Sequence, residues 1–410
     1  MTAEPVETEV IVAGGGMAGL SLALALARAG LPVIVVEPHS PETMTAERFD
    51  GRVSALAFAG VRMLSALGVW EHLAAHAQPI HDILVSDAAL GRAPSPMSLH
   101  FDHREIGEPL GHIAENRHIR MALLAALAQE PCARLLSGVA AGGMTSDAEG
   151  VKILLSSGAG IRARLVVAAD GRDSPLREAQ GIGTVRWDYP QTGIVTTVKH
   201  ERPHNGVAYE HFLPSGPFAI LPLPENRSSL VWTEHSGKAG AMMALPDAEF
   251  AQEIALRFGA HLGRVTPVGP RWSYPLRLQL ARAYVAPRFA LIGDAAHTIH
   301  PIAGQGFNLG LKDVAALAET ILDAARLGLD FGPEETLKRY ERWRRFDSFL
   351  LAAATDSVNR LFSNDLPPLR LARDLGLGIV DGIAPLRRFF MRHAGGDVGR
   401  LPRLLRGEAA

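Results

Sequence analysis

Apolar runs that stop at glycines or acidic residues alternate with helical patterns along much of this chain. Residues 9–13 form the first run, and a glycine-rich turn, a helical pattern over 20–29 and a second run over 33–37 follow. Two later runs, 165–169 and 289–292, are continuously apolar, which is typical of strands buried on both faces of a sheet. The pattern predicts a β-α-β unit whose sheet also contains strands from later parts of the chain.

The pattern changes in the regions between these runs. Residues 80–113 and about 184–284 hold short alternating segments broken by Gly and Pro, which predict an inserted antiparallel sheet with one helix over 246–258. Helices are predicted over 54–67, over 116–128 and from Pro333 to about Leu361, with a break at 364–368. Short strands are predicted over 138–144, 151–155 and 161–164. The predicted fold class is α/β: a Rossmann-like domain with an inserted antiparallel β-sheet substrate domain and a C-terminal helical region.

The predicted domain boundaries follow these changes of pattern. They are 1–78, 114–183 and 285–332 for the discontinuous nucleotide-binding domain, 79–113 and 184–284 for the substrate domain, and 333–410 for the helical region. A chain of 410 residues is long enough for such a division.

Composition and charge narrow the class of protein. A net charge of −2 argues against nucleic acid as the main partner. The single cysteine, Cys132, excludes an internal disulfide and a cysteine-rich zinc site, and it favours a reducing compartment. The first residues are acidic, unlike a secretory signal, and no apolar run reaches the roughly 18–20 residues that span a bilayer. We expect a cytoplasmic protein, either free or peripheral on the inner face of the membrane.

The first turn carries the pattern Gly14-x-Gly16-x-x-Gly19, and Glu37 ends the second strand. Between a strand and a helix, such glycines allow a tight turn and close approach of backbone to a pyrophosphate, and the acidic residue is placed to hold a ribose hydroxyl. A Gly-rich turn is the alternative, but the agreement of strand, helix and acid favours a dinucleotide site. The pattern itself fits NAD or FAD.

A second candidate site follows the strand at 289–292. Gly293 and Asp294 end that strand, and a loop rich in Gly and Pro leads into a helix whose apolar residues recur with helical spacing. The start of that helix offers unpaired N–H groups and a partial positive charge, which suit a ligand group that becomes anionic. Asp170 and Gly171 end the run at 165–169 in a similar way.

Together, Gly14-x-Gly16-x-x-Gly19, Asp170-Gly171 and Gly293-Asp294 resemble the class A flavoprotein aromatic monooxygenases of the p-hydroxybenzoate hydroxylase fold. Within that class, four further segments resemble the ubiquinone-biosynthesis hydroxylases over nearly the whole chain. These segments are 50–56, 115–117, 300–310 and 361–365, and the tail 386–392 adds to them.

The resemblance implies FAD as the cofactor, bound by a defined set of residues. Gly14, Gly16, Gly19 and Glu37 would hold the ADP half, Asp294 the ribityl and pyrophosphate region, and the backbone from Gly304 to Asn308 the pyrimidine edge. Asp170 and Gly171 would bridge FAD and NAD(P)H, and Arg52 and Arg117 would contact the sugar-phosphate portion. The full predicted cofactor set is Gly14, Gly16, Met17, Ala18, Gly19, Glu37, Arg52, Arg117, Asp170, Gly171, Gly293, Asp294, Pro301, Gly304, Gln305, Gly306, Phe307 and Asn308.

The resemblance also implies a reaction. NADH or NADPH would reduce the flavin, O2 would add to give a C4a-hydroperoxide, and the aromatic ring of a polyprenylated phenol would be hydroxylated in ubiquinone biosynthesis. No protein nucleophile is needed, so no catalytic residue is assigned. The alternatives are a hydroxylase of a small soluble phenol or benzoate, a flavin reductase or halogenase on the same fold, and a flavin-loaded scaffold subunit.

Other features have simpler interpretations. His297 and His300 are expected to pack and hydrogen-bond, with a role near the flavin as the alternative, and no metal site is expected. Asp173 is interpreted as part of a surface ion-pair cluster, and Phe218 and Trp232 as core residues. The arginine-rich tail is either a solvated helix face or a surface that docks on a membrane. Other quinone-biosynthesis proteins and a second copy of the chain are further expected partners.

Overall fold

The computed structural model of this protein describes residues 6–88, 90–91, 98–363, 367–396 and 398–410. In chain order the strands are β1 Val6–Glu7, β2 Val10–Ala13, β3 Val33–Glu37, β4 Val53–Leu56, β5 Ala77–Ile80, β6 Asp82–Asp87, β7 Ser98–Asp102, β8 Gly111–Glu115, β9 Ala133–Ser137, β10 Ala141–Ser146, β11 Val151–Leu155, β12 Gly160–Ala163, β13 Leu165–Ala168, β14 Thr184–His200, β15 Val207–Leu213, β16 Gly216–Leu223, β17 Arg227–His235, β18 Val265–Ala281, β19 Val285–Ala286, β20 Phe289–Leu291 and β21 His297–Thr298.

The helices alternate with these strands and then dominate the C-terminal part. They are α1 Met17–Arg28, α2 Pro41–Thr45, α3 Phe58–Ala66, α4 Trp70–Leu73, α5 Asn116–Leu127, α6 Pro175–Ala179, α7 Ser236–Ala244, α8 Asp247–Phe258, α9 Gly306–Arg326, α10 Glu334–Phe362, α11 Pro367–Gly382 and α12 Ala384–Ala394. Among the described residues, no helix combines the length and apolar character needed to cross a bilayer.

A six-stranded sheet forms the centre of the first half, with the order β19-β20-β13-β2-β3-β9. The strands from β20 to β9 run parallel to one another. Every residue of β2, β3, β13 and β20 is buried, because helices cover both faces of a parallel sheet. Helix α1 packs against both α5 and α9 in this layer. The buried leucines of α1 each stabilise the fold by about 1.5–3 kcal/mol.

An eight-stranded sheet forms the second half, with the order β21-β18-β14-β17-β16-β15-β6-β7. Phe218 and Trp232 lie opposite each other on β16 and β17, and both pack into an apolar cluster with Phe250 of α8. Their prediction as core residues is confirmed. Smaller sheets of four and three strands complete the fold.

The predicted fold class is confirmed, with several local corrections. The helix predicted over 54–67 begins only at Phe58, because Val53–Leu56 pairs with β8 as a strand whose Ser54 and Leu56 alternate inward. The inserted sheet holds one parallel pair, since β6 lies between β15 and β7 and runs in the same direction as β15. It also carries a second helix, α7.

Two other predictions differ in position. The strand predicted over 138–144 lies at Ala141–Ser146, and β9 before it extends the parallel sheet beside β3. Helix α10 ends at Phe362 and α11 begins at Pro367, where proline is well tolerated, while residues 364–366 of the predicted break lie outside the described residues. The domain boundaries stay a prediction.

Candidate active site

Three of the predicted motifs lie at one edge of the parallel sheet. Strands β2, β13 and β20 are neighbours, with Val10 opposite Leu165 and Val166 opposite Phe289. Their carboxyl ends therefore meet at the same edge, which is where ligands bind in open α/β sheets. The first turn, Asp170 and Asp294 follow these three strand ends and form what we call the cofactor edge.

The glycines of the first turn are required for two different reasons. Gly14 has φ of 107°, and a Cβ there would lie 2.3 Å from the Ala169 carbonyl oxygen. A Cβ at Gly19 would lie 2.0 Å from the Gly14 carbonyl oxygen, so helix α1 can pack on the turn only with glycine there. A Cβ at Gly16, in contrast, would meet no protein atom within 4 Å. Gly16 faces open space, as expected if the ligand occupies it.

Glu37 connects the second strand to this turn. Its Oε2 accepts a hydrogen bond of 2.7 Å from the Gly15 N–H, and its Oε1 accepts one of 2.9 Å from the His39 N–H. The side chain is 6 % exposed. The carboxylate is therefore fixed beside the turn, where a ribose hydroxyl would share its oxygens.

The turn at Gly293 lies directly against α1. A Cβ at Gly293 would be 3.2 Å from the Ala18 Cβ, and a Cβ at Gly310 of α9 would be 3.6 Å from the same atom. The contact brings Met17 and Ala18 beside the start of the second motif, although the two motifs lie far apart in sequence. Asp294 is exposed at this junction, where its carboxylate can accept hydrogen bonds from a ligand.

The loop before α9 is held in place by β4. Gly304 has φ of 61°, and a Cβ there would come within 2.9 Å of the Ala55 Cβ. Asn308 donates a hydrogen bond of 2.7 Å to the Ala55 carbonyl and accepts one of 3.0 Å from the Ala57 N–H. Phe307 is buried, whereas Pro301 and Gly306 are exposed.

Gln305 precedes α9 without a side-chain cap on the helix. The first N–H groups of a helix have no partner within it, so the start of α9 presents donors and a partial positive charge to a ligand.

Asp170 contributes a buried acceptor that lacks a partner. Its Oδ2 accepts a weak hydrogen bond of 3.3 Å from the Leu176 N–H, while its buried Oδ1 has no hydrogen-bond partner among the described residues. Burial raises the pKa of the Asp170 carboxyl. Gly171 follows with φ of 89°. An orphaned acceptor beside the Gly14 turn fits a ligand that supplies a donor.

The two predicted arginines lie farther from the turn. Arg52 binds Asp50 at 2.9 Å, and its guanidinium lies over the Tyr274 ring at 4.9 Å. Arg117 binds Glu115 at 2.7 Å, and it lines a polar cleft of about 330 Å³ together with Arg52. The structure thus brings Arg52 and Arg117 together, with Arg52 also lining the main cavity described below.

Asp50 was missed at the sequence level. Arg52, Asn116 and Arg120 all donate to its carboxylate, which is 6 % exposed. Burial alone would raise its pKa, but the charge and hydrogen bonds of Arg52 outweigh burial and lower the pKa to about 2. The carboxylate is therefore ionised, and it orients Arg52 at the boundary of the two cavities.

Asp313 is a second residue that sequence reasoning missed. It is fully buried in α9, and it accepts from the Gly293 N–H at 3.0 Å, His297 Nε2 at 2.5 Å and Arg344 Nε at 2.9 Å. Burial opposes ionisation, but the charges of His297 and Arg344 hold its pKa below the ordinary value. The sequence did contain a signal for this buried acid, because Asp313 lies on the apolar face of a predicted helix.

Both histidines of the loop pack in the protein, but only His297 forms the expected hydrogen bond. Neither ring nitrogen of His300 has a hydrogen-bond partner among the described residues. His297 packs beneath the turn through its bond to Asp313. His300 is fully buried against the edge of the Tyr189 ring, and burial lowers its pKa to about 4, so the ring is neutral. Asp173 is exposed and pairs with Arg172 and Arg277, as predicted for a surface cluster.

One group of three among the described residues has the spacing for a metal ion: Asp82, Asp102 and His103. Asp82 already binds His100 at 2.7 Å and Asp102 binds Arg104 at 2.6 Å. The group lies outside the cofactor edge and adds nothing to it.

A cavity of about 690 Å³ separates the cofactor edge from the eight-stranded sheet. The loop from Pro301 to Asn308 lines one wall, and apolar residues of the sheet such as Val195, Ala219 and Val231 line the other. Side chains from α10, α11 and α12 close the remaining side. The volume and apolar lining suit a small organic ring with an apolar extension.

The cofactor edge fits FAD. Its open space at Gly16, the fixed carboxylate of Glu37, the exposed Asp294 and the free N–H groups of α9 follow one another along a single edge. An elongated dinucleotide needs such a series of contacts. When FAD is bound, these residues would hold it, and the Gly304–Asn308 segment would place its reactive ring at the cavity.

Comparisons with known proteins agree with this geometry. The family model of an FAD binding domain matches residues 7–347. The chain is similar to the ubiquinone hydroxylase UbiL of Rhodospirillum rubrum, with 51 % identity over 97 % of this chain and 92 % of that protein. It is 37 % identical to the 3-demethoxyubiquinol 3-hydroxylase of Escherichia coli, over 96 % of this chain and 99 % of that protein.

A solved structure shows the same fold at lower identity. The p-nitrophenol 4-monooxygenase PnpA of Pseudomonas putida DLL-E4 superposes with a TM-score of 0.80 at 19 % identity. The match covers 97 % of this chain and all of that one.

Proposed function

We propose a function for this chain from the family to which it belongs, the FAD-binding domain family, and within that family from the ubiquinone-biosynthesis hydroxylases. The protein is an FAD-dependent monooxygenase that hydroxylates the aromatic ring of a polyprenylated phenol, with NADH or NADPH and O2 as co-substrates. The observation that carries the proposal is the apolar cavity between the cofactor edge and the eight-stranded sheet.

Different residues of the cofactor edge bind different parts of the cofactor. Gly14, Gly16, Gly19 and Glu37 bind the nucleotide end, and Asp294 binds the ribityl region. Bound FAD, once reduced, supplies an activated oxygen atom derived from O2. The start of α9 stabilises negative charge on the cofactor ring. We assign Asp170 and Gly171 to the approach of NAD(P)H, because the Asp170 carboxylate has an unused acceptor.

Besides a bound cofactor, such a reaction requires that water be excluded, and the cavity meets this requirement. Its sheet wall and the loop from Pro301 enclose the space next to the cofactor, so an activated oxygen species is protected from hydrolysis there. The ring substrate would lie in this space, and its prenyl tail would follow the apolar side chains of α10 and α12.

The charges around the cavity favour a phenol over a benzoate. A benzoate carboxylate requires a cationic partner, and each Arg or Lys that lines this cavity already lies beside a carboxylate of the protein, although Arg172 Nε forms no hydrogen bond with a described residue. The pairs are Arg52 with Asp50, Arg172 with Asp173, Arg277 with Asp188, and Lys312 with Asp347. A hydroxylase of a small soluble phenol or benzoate and a flavin-loaded scaffold subunit remain the alternatives, and the charges count against the benzoate.

The exposed surface beside the cavity supports contact with a membrane. Phe346 and Phe349 of α10 are 72 % and 59 % exposed, and Phe389 and Phe390 of α12 are 54 % and 43 % exposed. Leu350 and Phe390 belong both to this apolar patch and to the cavity lining. Exposed aromatic rings next to arginines are typical of surfaces that lie in an anionic bilayer interface. A prenylated substrate would then enter the cavity from the lipid.

Several arginines of the C-terminal region, residues 367–410, do not belong to this patch. Arg373 is buried against Asp87, Arg387 binds Glu105, and Arg403 binds Glu319 and Asp323. Leu404 and Leu405 are buried in the main core. Removal of the tail would therefore damage the fold, so point substitutions are the appropriate test of membrane contact.

The reaction is tested by depletion of the protein in its source organism, with mass spectrometry of the quinone pool. The proposal predicts accumulation of a prenylated ring precursor that lacks one hydroxyl group, and restoration of the pool by the wild-type chain. A normal quinone pool without an accumulating precursor would contradict it. A purified protein that cannot be reconstituted with FAD would contradict the whole class.

Membrane contact is tested by flotation with vesicles that contain anionic lipid. The double variant Phe346→Ser and Phe390→Ser should float at least five-fold less than the wild type, because the loss of each ring removes apolar area from the contact with the bilayer. The variant Leu327→Ser is the control, since Leu327 is 74 % exposed but does not line the cavity. Equal flotation of all three proteins would contradict membrane contact through this patch.

A further inference from the structure

Glu210 is an acidic residue on an otherwise apolar surface. It lies in β15, where Ala208, Glu210 and Phe212 line the cavity. Its neighbours across the strands are Ala219 of β16 and Val85 of β6. The carboxyl group is therefore surrounded by side chains that cannot form hydrogen bonds.

No described residue forms a hydrogen bond or an ion pair with Glu210. The other carboxylate that lines the cavity, Asp347, binds Arg344 at 2.5 Å and Lys312 at 3.5 Å. Glu210 is partly accessible, and the space that it contacts belongs to the cavity. A buried carboxyl group without a partner is costly for the fold, which points to a partner supplied by a ligand.

The strand itself directs Glu210 into the cavity. Residues alternate between the faces of a strand, and His211 points to the opposite face, where its Nδ1 lies 2.8 Å from Ser86 Oγ. Tyr209 packs on the ring of His261 with centroids 4.4 Å apart. Burial also raises the pKa of Glu210 to about 8, so this carboxyl can either donate or accept a hydrogen bond near neutral pH.

We propose that Glu210 binds the hydroxyl group of the aromatic substrate and thereby fixes which ring position faces the cofactor edge. The inference rests on the proposed function, because it takes a phenol as the occupant of the cavity. A polyprenylated phenol has one polar end and a long apolar body. The carboxyl group of Glu210 on the sheet wall can bind that end, while the apolar side chains of the sheet and the helices hold the rest.

The position of Glu210 explains how an apolar ring could be held in one orientation. Apolar walls allow the ring to rotate, since they make no directional contact. A hydrogen bond to one hydroxyl removes that freedom, and a site built around such a bond discriminates strongly against analogues that lack it. Glu210 is thus a specificity-determining residue for the ring hydroxyl.

The test compares the binding of two probes to the FAD-loaded protein by calorimetry. The probes are a phenol with a short prenyl tail and its O-methyl ether, which has the same ring but no hydroxyl hydrogen. The wild type should bind the phenol at least ten-fold more tightly than the ether, as expected for a hydrogen bond to a buried carboxyl. In Glu210→Leu this preference should fall to about two-fold or less.

Two further measurements separate substrate recognition from a structural role. Glu210→Leu should unfold at a higher temperature than the wild type, because an unpartnered carboxyl is replaced by an apolar side chain of similar size. Glu210→Gln should keep most of the phenol preference, since the amide can still form the hydrogen bond. Product formation per NAD(P)H oxidised should fall in Glu210→Leu, because a misoriented ring wastes reducing equivalents.

The outcomes distinguish this inference from the proposed function. A wild type that binds both probes equally, or a Glu210→Leu variant that keeps the wild-type preference, would overturn the role of Glu210 alone. Loss of the preference together with loss of thermal stability would also overturn it, since Glu210 would then be a structural residue. A wild type that binds neither probe would overturn the proposed function as well.

Discussion

Asp313 beneath the cofactor edge is a fully buried acid, Glu210 on the eight-stranded sheet is a half-buried one, and their surroundings differ. Asp313 accepts hydrogen bonds from Gly293, His297 and Arg344. Glu210 has no partner among the described residues and faces the cavity. The first carboxylate helps to build the loop that holds the cofactor, whereas the second reduces stability and is available to a substrate.

This difference shows how the two sides of the cavity are organised. The cofactor edge is a frame held by backbone geometry and by the hydrogen bonds of Glu37 and Asp313, with Asp170 Oδ1 and Asp294 left for a ligand. The sheet wall is mostly apolar, and the carboxyl of Glu210 and the hydroxyl of Thr233 on it have no hydrogen-bond partner among the described residues. Active sites commonly give up stability in this way, and we expect substitutions of Asp313 and of Glu210 to change stability in opposite directions.

The largest expected effect is on the cofactor edge, at Gly16. The variant Gly16→Val should fold normally, because a Cβ there meets no protein atom within 4 Å, yet it should bind FAD at least 100-fold more weakly. Gly14→Val should damage both folding and binding, since its Cβ would lie 2.3 Å from a carbonyl oxygen. Flavin absorbance and circular dichroism of the purified variants measure both effects.

The control for this experiment is Gly158→Val. Gly158 has φ of 85° and open space around it, so the substitution adds backbone strain without approaching the cofactor edge. It should keep FAD. Retention of wild-type FAD affinity by Gly16→Val would show that the cofactor does not approach this turn.

The next largest effect is expected for Asp313→Asn, which removes a buried negative charge from between His297 and Arg344. Breaking a buried ion pair costs about 3–5 kcal/mol. Arg344 would keep Asp347 as a counter-charge, which places the expected loss at the lower end of that range. Urea unfolding should show a loss of this size in the free energy of unfolding. Asp323→Asn, at a more exposed pair with Arg339, should cost less than about 1 kcal/mol. Equal losses for the two variants would contradict the framework role of Asp313.

An effect of comparable size and opposite sign is expected at Glu210, and it depends on pH. The folded-state pKa of about 8 lies above the ordinary 4.5, so the folded protein holds this proton more tightly than the unfolded chain. Its contribution to stability is complete below pH 4.5 and is lost as the pH rises towards 8, by roughly 1.4 kcal/mol per pH unit. Glu210→Gln should lack this decline.

Urea unfolding at pH 5.5, 7 and 8.5 provides the measurement. Other groups that titrate contribute equally to both proteins, so the difference between wild type and Glu210→Gln isolates this carboxyl. Parallel curves over the whole range would show that Glu210 ionises as easily in the folded protein as in the unfolded chain.

The smallest effect is expected for Tyr189→Phe, on the sheet side. The Tyr189 hydroxyl donates a hydrogen bond of 2.8 Å to Asp356 of α10 and so ties the sheet to that helix. Its removal should cost about 1–2 kcal/mol in the free energy of unfolding, as for other hydrogen bonds to charged groups. Trp187→Phe is the control, because Trp187 reaches the same carboxylate at 3.3 Å from a more exposed position. A larger loss for Trp187→Phe would contradict the importance of the Tyr189 bond.

The two sides also differ in how far the sequence predicted them. The cofactor edge depends on glycines, strand ends and helix starts, which leave local signals, so Gly14, Gly16, Gly293 and Asp294 could be placed before the fold was known. Glu37 was likewise predicted from its position at the end of a strand. Their assembly at one edge follows from the parallel pairing of β2, β13 and β20.

The sheet wall left no comparable signal. Glu210 is one acidic residue in an alternating strand, and that pattern is typical of a solvated face as much as of a cavity. Only the pairing of β15 with β6 and β16 shows that apolar residues surround it. Asp50 and Asp313 were missed for a related reason, since their partners are brought together by long-range contacts.

A cofactor held at the parallel-sheet edge is predicted to transfer one oxygen atom from O2 to a ring held against the opposite sheet. Turnover of a short-chain prenyl phenol by the FAD-loaded protein, with NAD(P)H under isotopically labelled O2, tests this claim most directly. The predicted result is a hydroxylated product that carries one labelled oxygen atom on the ring. Oxidation of NAD(P)H to yield hydrogen peroxide alone, with no labelled product, would contradict the account.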